Sequence, residues 1–131
     1  MKYVWPVLPV VLAIHEELIA EHGGRPGVRD AGLLESALKR PLNHLAFGHK
    51  PDIAYLAAVL AHGVATSHPF IDGNKRVSAV VTELFLELNG YDLVADDSDI
   101  VLTWLALASG ERDEETLAKW IRERIRKTAA N

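Results

Sequence analysis

The sequence has no cysteine among its 131 residues. That excludes a disulfide framework, a zinc ribbon and a thiol nucleophile. Nothing marks an oxidising compartment, so a cytoplasmic location is expected. A long apolar run is also missing. The best candidate, Tyr3 to Ile14, spans twelve residues and contains Pro6 and Pro9, whereas a spanning helix needs about 20 apolar residues. His15-Glu16-Glu17 follows it directly, where a signal peptide would offer small residues for cleavage. Positive charge is scarce as well, with 14 Lys+Arg against 18 Asp+Glu and a formal net charge of −4. That argues against a broad basic face for direct nucleic-acid binding. There is no internal repeat, low-complexity tract or linker. A single domain over residues 1–131 is expected, long enough to bury roughly two-thirds of its unfolded surface without a metal or disulfide staple.

What is present is helical patterning almost throughout. Val11, Ile14, Leu18 and Ile19 recur at three- and four-residue spacing on one face of a first helix, which Gly23-Gly24 stops. Asp30 is a good N-cap for a short helix carrying Leu33, Leu34, Ala37 and Leu38, and Pro41 is expected to end it. Residues 41–52, PLNHLAFGHKPD, show no helical period and read as a long loop or short hairpin. Asp52 then caps a strongly apolar helix from Ile53 to about Ser67, whose alanines and Gly63 let neighbours approach closely. A second strong helix begins near Asn74 and places Val77, Val81, Leu84 and Phe85 on one face, with Asn89-Gly90 as its C-cap signal. Two further helices are expected, Ile100 to Ala108 entered through Asp97 or Ser98, and Glu114 to Lys127 entered through Asp113. Trp104 and Trp120 fall at their core positions. The predicted fold class is all-α.

The informative segment lies between the two most apolar helices: His68-Pro69-Phe70-Ile71-Asp72-Gly73-Asn74-Lys75-Arg76. Pro69 disfavours the α conformation at His68, so the incoming helix should finish there. His68 then stands at the negative end of a helix dipole, which suits a base that must take up a proton. Phe70 is expected to point inward as the loop's core anchor. Asp72-Gly73-Asn74 is turn chemistry, with glycine free to take a positive φ. The next helix opens with unpaired N–H groups near Gly73 to Arg76, a setting that attracts anions. Lys75 and Arg76 add two cations on the same turn. Asp72 makes little sense beside bare phosphate, but good sense where Mg²⁺ bridges carboxylate and phosphate. A phosphate cradle, a metal carboxylate and a histidine base within one loop suffice for phosphoryl chemistry, which is mostly positioning and charge stabilisation.

HPFIDGNKR resembles the signature loop of the Fic superfamily, commonly HPFx(D/E)GNGR. It is most similar to the death-on-curing (Doc) branch, which carries a lysine where most Fic enzymes have the second glycine. GGRPGVRDAGLLESALKRP, residues 23–41, and the later LFLELNGY run look like the corresponding Doc segments. The resemblance implies a Fic-like helical bundle with a flap before the helix that leads to the motif. It assigns His68 as the base for a target hydroxyl and Asp72 as the Mg²⁺ ligand. Gly73 and Asn74 correspond to the anion-binding turn, and Arg76 to the phosphate-binding arginine. Lys75 is associated with an inverted nucleotide and transfer of the ATP γ-phosphate rather than AMP. Ala79 stands where many Fic proteins carry a further arginine, which again favours the kinase. The implied function is a toxin of a toxin–antitoxin pair that phosphorylates a threonine of elongation factor Tu and arrests translation. The alternatives are AMP transfer from the same pocket and an inactive Fic-fold binding module.

No (S/T)xxxE(G/N) inhibitory pattern occurs in the chain, so control is expected from a Phd-like antitoxin whose C-terminal segment folds into a groove. Fic folds align their target peptide with the flap, and Asn43, His44, Phe47 and His49 are its candidate contacts, though no motif fixes which. His15, His22 and His62 lie on helices at spacings that make no metal site and read as packing or surface residues. The run Arg122 to Lys127 reads as a solvated helical face.

Overall fold

The computed structural model describes residues 2–47 and 51–128. Six helices and one short ribbon follow one another as α1 (Leu8–His22), α2 (Ala31–Ala46), α3 (Ile53–Ser67), α4 (Asn74–Leu88), β1 (Tyr91–Leu93), α5 (Asp97–Ser109), α6 (Glu114–Arg122) and β2 (Ile125–Lys127). Helix α3 is the hub and packs on α2, α4, α5 and α6. Its N-terminus is capped by the Asp52 carboxylate, which accepts from Tyr55 N–H at 3.0 Å. Eleven of its fifteen residues are buried, five of them alanine and one glycine. Small side chains explain how four helices fit around it. A Cβ at Gly63 would lie 3.2 Å from the Ala37 Cβ of α2, inside ordinary van der Waals contact, so α2 would have to give way slightly.

A buried polar relay ties the hub to two neighbours. The Ser78 hydroxyl of α4 donates to the Ala61 carbonyl of α3 at 2.7 Å and accepts from the Trp104 indole N–H of α5 at 2.9 Å. Every buried polar atom in this chain of contacts is therefore satisfied. Trp104 and Trp120 are core residues, as their spacing predicts, and meet edge to face at 6.0 Å. At the other end of α4, Trp5 stacks on Phe85 at 4.5 Å and fastens the N-terminal segment.

Three expectations are corrected. Helix α2 does not end at Pro41 but runs through it to Ala46, with the proline buried. An internal proline forfeits a helical hydrogen bond and costs about 3 kcal/mol in isolation. Here the turn beyond it is docked: the His44 ring meets Tyr55 of α3 edge-on at 5.6 Å, and Leu45 packs against the core. Residues 41–46 are thus helix rather than loop or hairpin. Helix α5 starts at Asp97 after an Asp96 N-cap, three residues before the expected Ile100. Helix α6 stops at Arg122, and residues 125–127 form a strand pairing antiparallel with β1, Leu93 opposite Ile125. Ile125 turns towards the core while Arg126 and Lys127 stay exposed, and it is the pairing with β1 that makes the segment a strand. The small ribbon leaves the all-α class standing.

Candidate phosphate-binding site

Helix α3 ends at Ser67, and His68 takes the left-handed conformation with φ 51° and ψ 56°. Such a φ is uncommon for a residue with a Cβ, histidine being one of the more tolerant. The fold holds it there. Arg29 donates from Nε to the His68 carbonyl at 2.7 Å and from Nη2 to the Ser67 carbonyl at 3.0 Å. Its own backbone N–H and that of Asp30 both reach the Pro69 carbonyl, at 2.8 and 3.0 Å. Ile71 N–H donates to the Gly27 carbonyl at 3.1 Å, and Val28 bridges Phe70 in antiparallel fashion. The segment between α1 and α2 is therefore a strap laid strand-like along the signature loop.

Phe70 is buried, as expected of an anchor. Its backbone is clamped by Asn74, whose amide oxygen accepts from Phe70 N–H at 2.9 Å and whose amide nitrogen donates to the Phe70 carbonyl at 3.0 Å. Asn74 thus spends both ends of its side chain on the loop itself. What it offers an anion is the backbone N–H at the start of α4. Gly73 precedes it in the left-handed conformation, φ 80°, with no side-chain cap, so the first-turn N–H groups of α4 keep their donors free.

Asp72 is fixed from two sides. Arg25 N–H donates to its carboxylate Oδ2 at 3.1 Å, and its carbonyl accepts from His15 Nε2 of α1 at 2.9 Å. The strap comes close enough that a Cβ at Gly24, where φ is +114°, would stand 3.2 Å from the same Oδ2. His15 is 2 % exposed, and its ring lies on Phe70 at 3.9 Å with a 12° interplanar angle. Nothing in the sequence pattern singles His15 out, since a histidine on an apolar helix face reads as packing.

Asp72, Gly73, Asn74, Lys75 and Arg76 line one end of a cleft of about 540 Å³. Lys75 and Arg76 are exposed and form no ion pair among the described residues. Ala79, Val80 and Glu83 continue the α4 wall, α1 contributes Leu18 and His22, and α5 contributes Ile100, Val101, Trp104 and Leu105. The far end is acidic. Burial, and then the charges of Glu87 and Asp97, push the Glu83 carboxyl above the usual carboxylate range. The cleft thus runs from cationic to apolar to acidic. His68 stands outside this lining, exposed at the other end of the loop.

The expected flap contacts are not brought together here. Asn43 and His44 belong to the last turns of α2, where Asn43 is exposed and His44 faces Tyr55. Phe47 follows as the C-cap and is 80 % exposed. His49 lies outside the described residues. His62 accompanies Arg40, 3.1 Å from its Nδ1, away from the loop.

A helical domain that carries a histidine and an uncapped, cation-flanked helix start on one braced loop is the class these features define. The chain belongs to the Fic/DOC family, whose sequence pattern matches residues 7–86. It is 30 % identical over 122 residues to the protein kinase doc of Escherichia phage P1, covering 93 % of this chain and 94 % of that protein. It is 40 % identical over 76 residues to the toxin Doc of Mycolicibacterium smegmatis, covering 56 % of this chain and 58 % of that one.

Proposed function

We propose that the chain is the toxin of a toxin–antitoxin pair and acts as an ATP-dependent protein kinase, transferring the γ-phosphate to a serine or threonine hydroxyl of a protein. The single observation that carries this reading is the cleft's cationic end. There Lys75 and Arg76 flank the free N–H groups of α4 within the same loop that presents His68. The P1 relative's name, protein kinase doc, supports the same activity. By family resemblance the substrate is elongation factor Tu.

In this mechanism the α4 N-terminus with Lys75 and Arg76 binds the phosphates and stabilises the charge that spreads over the transferring group. His68 accepts the proton of the target hydroxyl as that oxygen bonds to the γ-phosphorus and the bond to the ADP leaving oxygen breaks. The donor set fits Mg²⁺ carried in on the nucleotide: one carboxylate, Asp72, and no group of three or more potential metal-binding side chains among the described residues. Asp72 would hold such an ion, which when bound would neutralise charge on the phosphates. Among the described residues no helix is long and apolar enough to cross a membrane.

The apolar middle of the cleft supports a place for the antitoxin. Val101 and Leu105 are exposed on α5 beside Ile100 and Leu18, a surface suited to the apolar face of a partner's C-terminal segment. Size-exclusion chromatography after co-expression with the neighbouring gene tests this, with a co-eluting complex expected.

ATP labelled at the α or the γ position, supplied with cell extract as a source of target, tests the activity. Label is expected on protein from γ only. Label from α would replace the kinase by AMP transfer, and none from either would leave a binding module.

A further inference from the structure

Resting on the kinase reading, we infer that His15 of α1 is a positioning residue for Asp72. It grips the signature loop on both sides of Ile71. Its ring covers Phe70 at 3.9 Å, and its Nε2–H donates to the Asp72 carbonyl at 2.9 Å. A carbonyl only accepts, so the ring must carry its proton on that nitrogen. The site is 2 % exposed, and a hydrogen bond made there faces little competition from water.

The arrangement fixes the carboxylate and not merely the chain. His15 holds the backbone of Asp72, while Arg25 N–H holds its Oδ2 at 3.1 Å. With its backbone tied to α1 and its carboxylate tied to the strap, Asp72 is oriented before any ligand arrives. Ile19, one turn further along α1, underlies the same turn: its Cδ1 would be 3.4 Å from a Cβ at Gly73. Asp72 is thereby seated on α1, a helix that contributes no residue to the signature. Catalysis that depends on positioning responds steeply to such a seat, since a displacement of about 1 Å can cost about 10²-fold.

Two substitutions separate positioning from space-filling. His15→Phe keeps an aromatic ring over Phe70 and removes the donor; His15→Gln keeps an N–H donor and removes the ring. Positioning predicts that His15→Phe lowers kcat for γ-phosphate transfer by about 10- to 100-fold. KM for ATP should stay near wild type, and His15→Gln should recover most of the rate. A folded His15→Phe protein with wild-type kcat overturns the proposal, as does a folded His15→Gln protein that stays as slow as His15→Phe. Should His15→Phe not fold, the kcat of His15→Gln decides alone. Amide hydrogen exchange gives a readout independent of activity. In His15→Phe the Phe70 and Ile71 amides, bonded to Asn74 Oδ1 and the Gly27 carbonyl, should exchange faster, while those of α3 stay as protected as in wild type. Unchanged exchange at Phe70 and Ile71 counts against positioning. A wild-type protein that transfers no γ-phosphate refutes the kinase reading, and the exchange measurement still decides the role of His15.

Discussion

Along α3 the buried side chains are almost all small and apolar, and the helix finds its place by shape. A few residues on, from His68 to Gly73, the chain is held by backbone groups, by Asn74 at the start of α4 and by two elements distant in sequence, the strap and α1. One region contributes burial with almost no directional bonds. The other is anchored in the core by Phe70, and directional bonds place the rest of it. The difference teaches where precision comes from. Apolar packing fixes α3 to within a fraction of a side chain and is indifferent to the chemistry beyond it. Placing a base and a carboxylate for reaction needs the angular control of hydrogen bonds to a rigid frame.

The contrast can be broken most forcefully by removing chemistry alone. His68→Ala is expected to cut γ-phosphate transfer by about 10²- to 10⁴-fold while leaving the thermal midpoint unchanged, because the side chain is exposed. Label transfer and calorimetry on the same sample check it; a midpoint several degrees lower would mean the loop also stabilises the fold. Gly63→Val does the opposite. Its first added carbon already meets Ala37 at 3.2 Å, so overpacking should cost about 1–3 kcal/mol or somewhat more. In urea this reads as a lower midpoint at constant m, with activity falling only as the folded fraction does.

Ser78→Ala sharpens the comparison, since it removes the one directional relay in the apolar hub. Trp104 would lose its acceptor in a dry environment, at a cost of about 1–3 kcal/mol by urea unfolding. Equal stability of variant and wild type would show that the relay is decorative.

The smallest effect concerns the exposed pair at the N-cap of α3. The Arg122 guanidinium bonded to Asp52 holds that carboxyl below its ordinary 3.8, against burial that raises it. A depressed folded value means the pair's stabilisation is present above the unfolded pKa and lost as pH falls through the folded one. Arg122→Gln should therefore lower the thermal midpoint slightly at about pH 7, by less than about 1 kcal/mol for so exposed a pair. The gap to wild type should close at about pH 2. A gap of equal size at both pH values would assign the effect to packing.

The loop and its flanking helices are legible in the sequence because local signals agree. Asp52 is an N-cap before an unbroken apolar run, Pro69 ends it, and Asp72-Gly73 turns the chain into α4, so Ile53–Ser67 and the start at Asn74 emerge as observed. Illegible parts are those decided by partners far along the chain. Pro41 is a helix breaker by every local rule, yet docking of His44 on Tyr55 carries α2 past it. Ile125 to Lys127 contains no turn residue, and only pairing with Tyr91 to Leu93 makes it a strand. His15 lies 57 residues from Asp72, a separation at which no pattern connects a histidine to a carbonyl.

Gly24 carries that separation into heredity. Its φ of +114° and its 3.2 Å clearance from the Asp72 carboxylate mean that even alanine is strained there and crowds the carboxylate. Under the proposed toxin reading, such a substitution would disarm the protein while leaving HPFIDGNKR untouched. An intact signature string therefore marks ancestry, while the seat of its carboxylate is written in the strap.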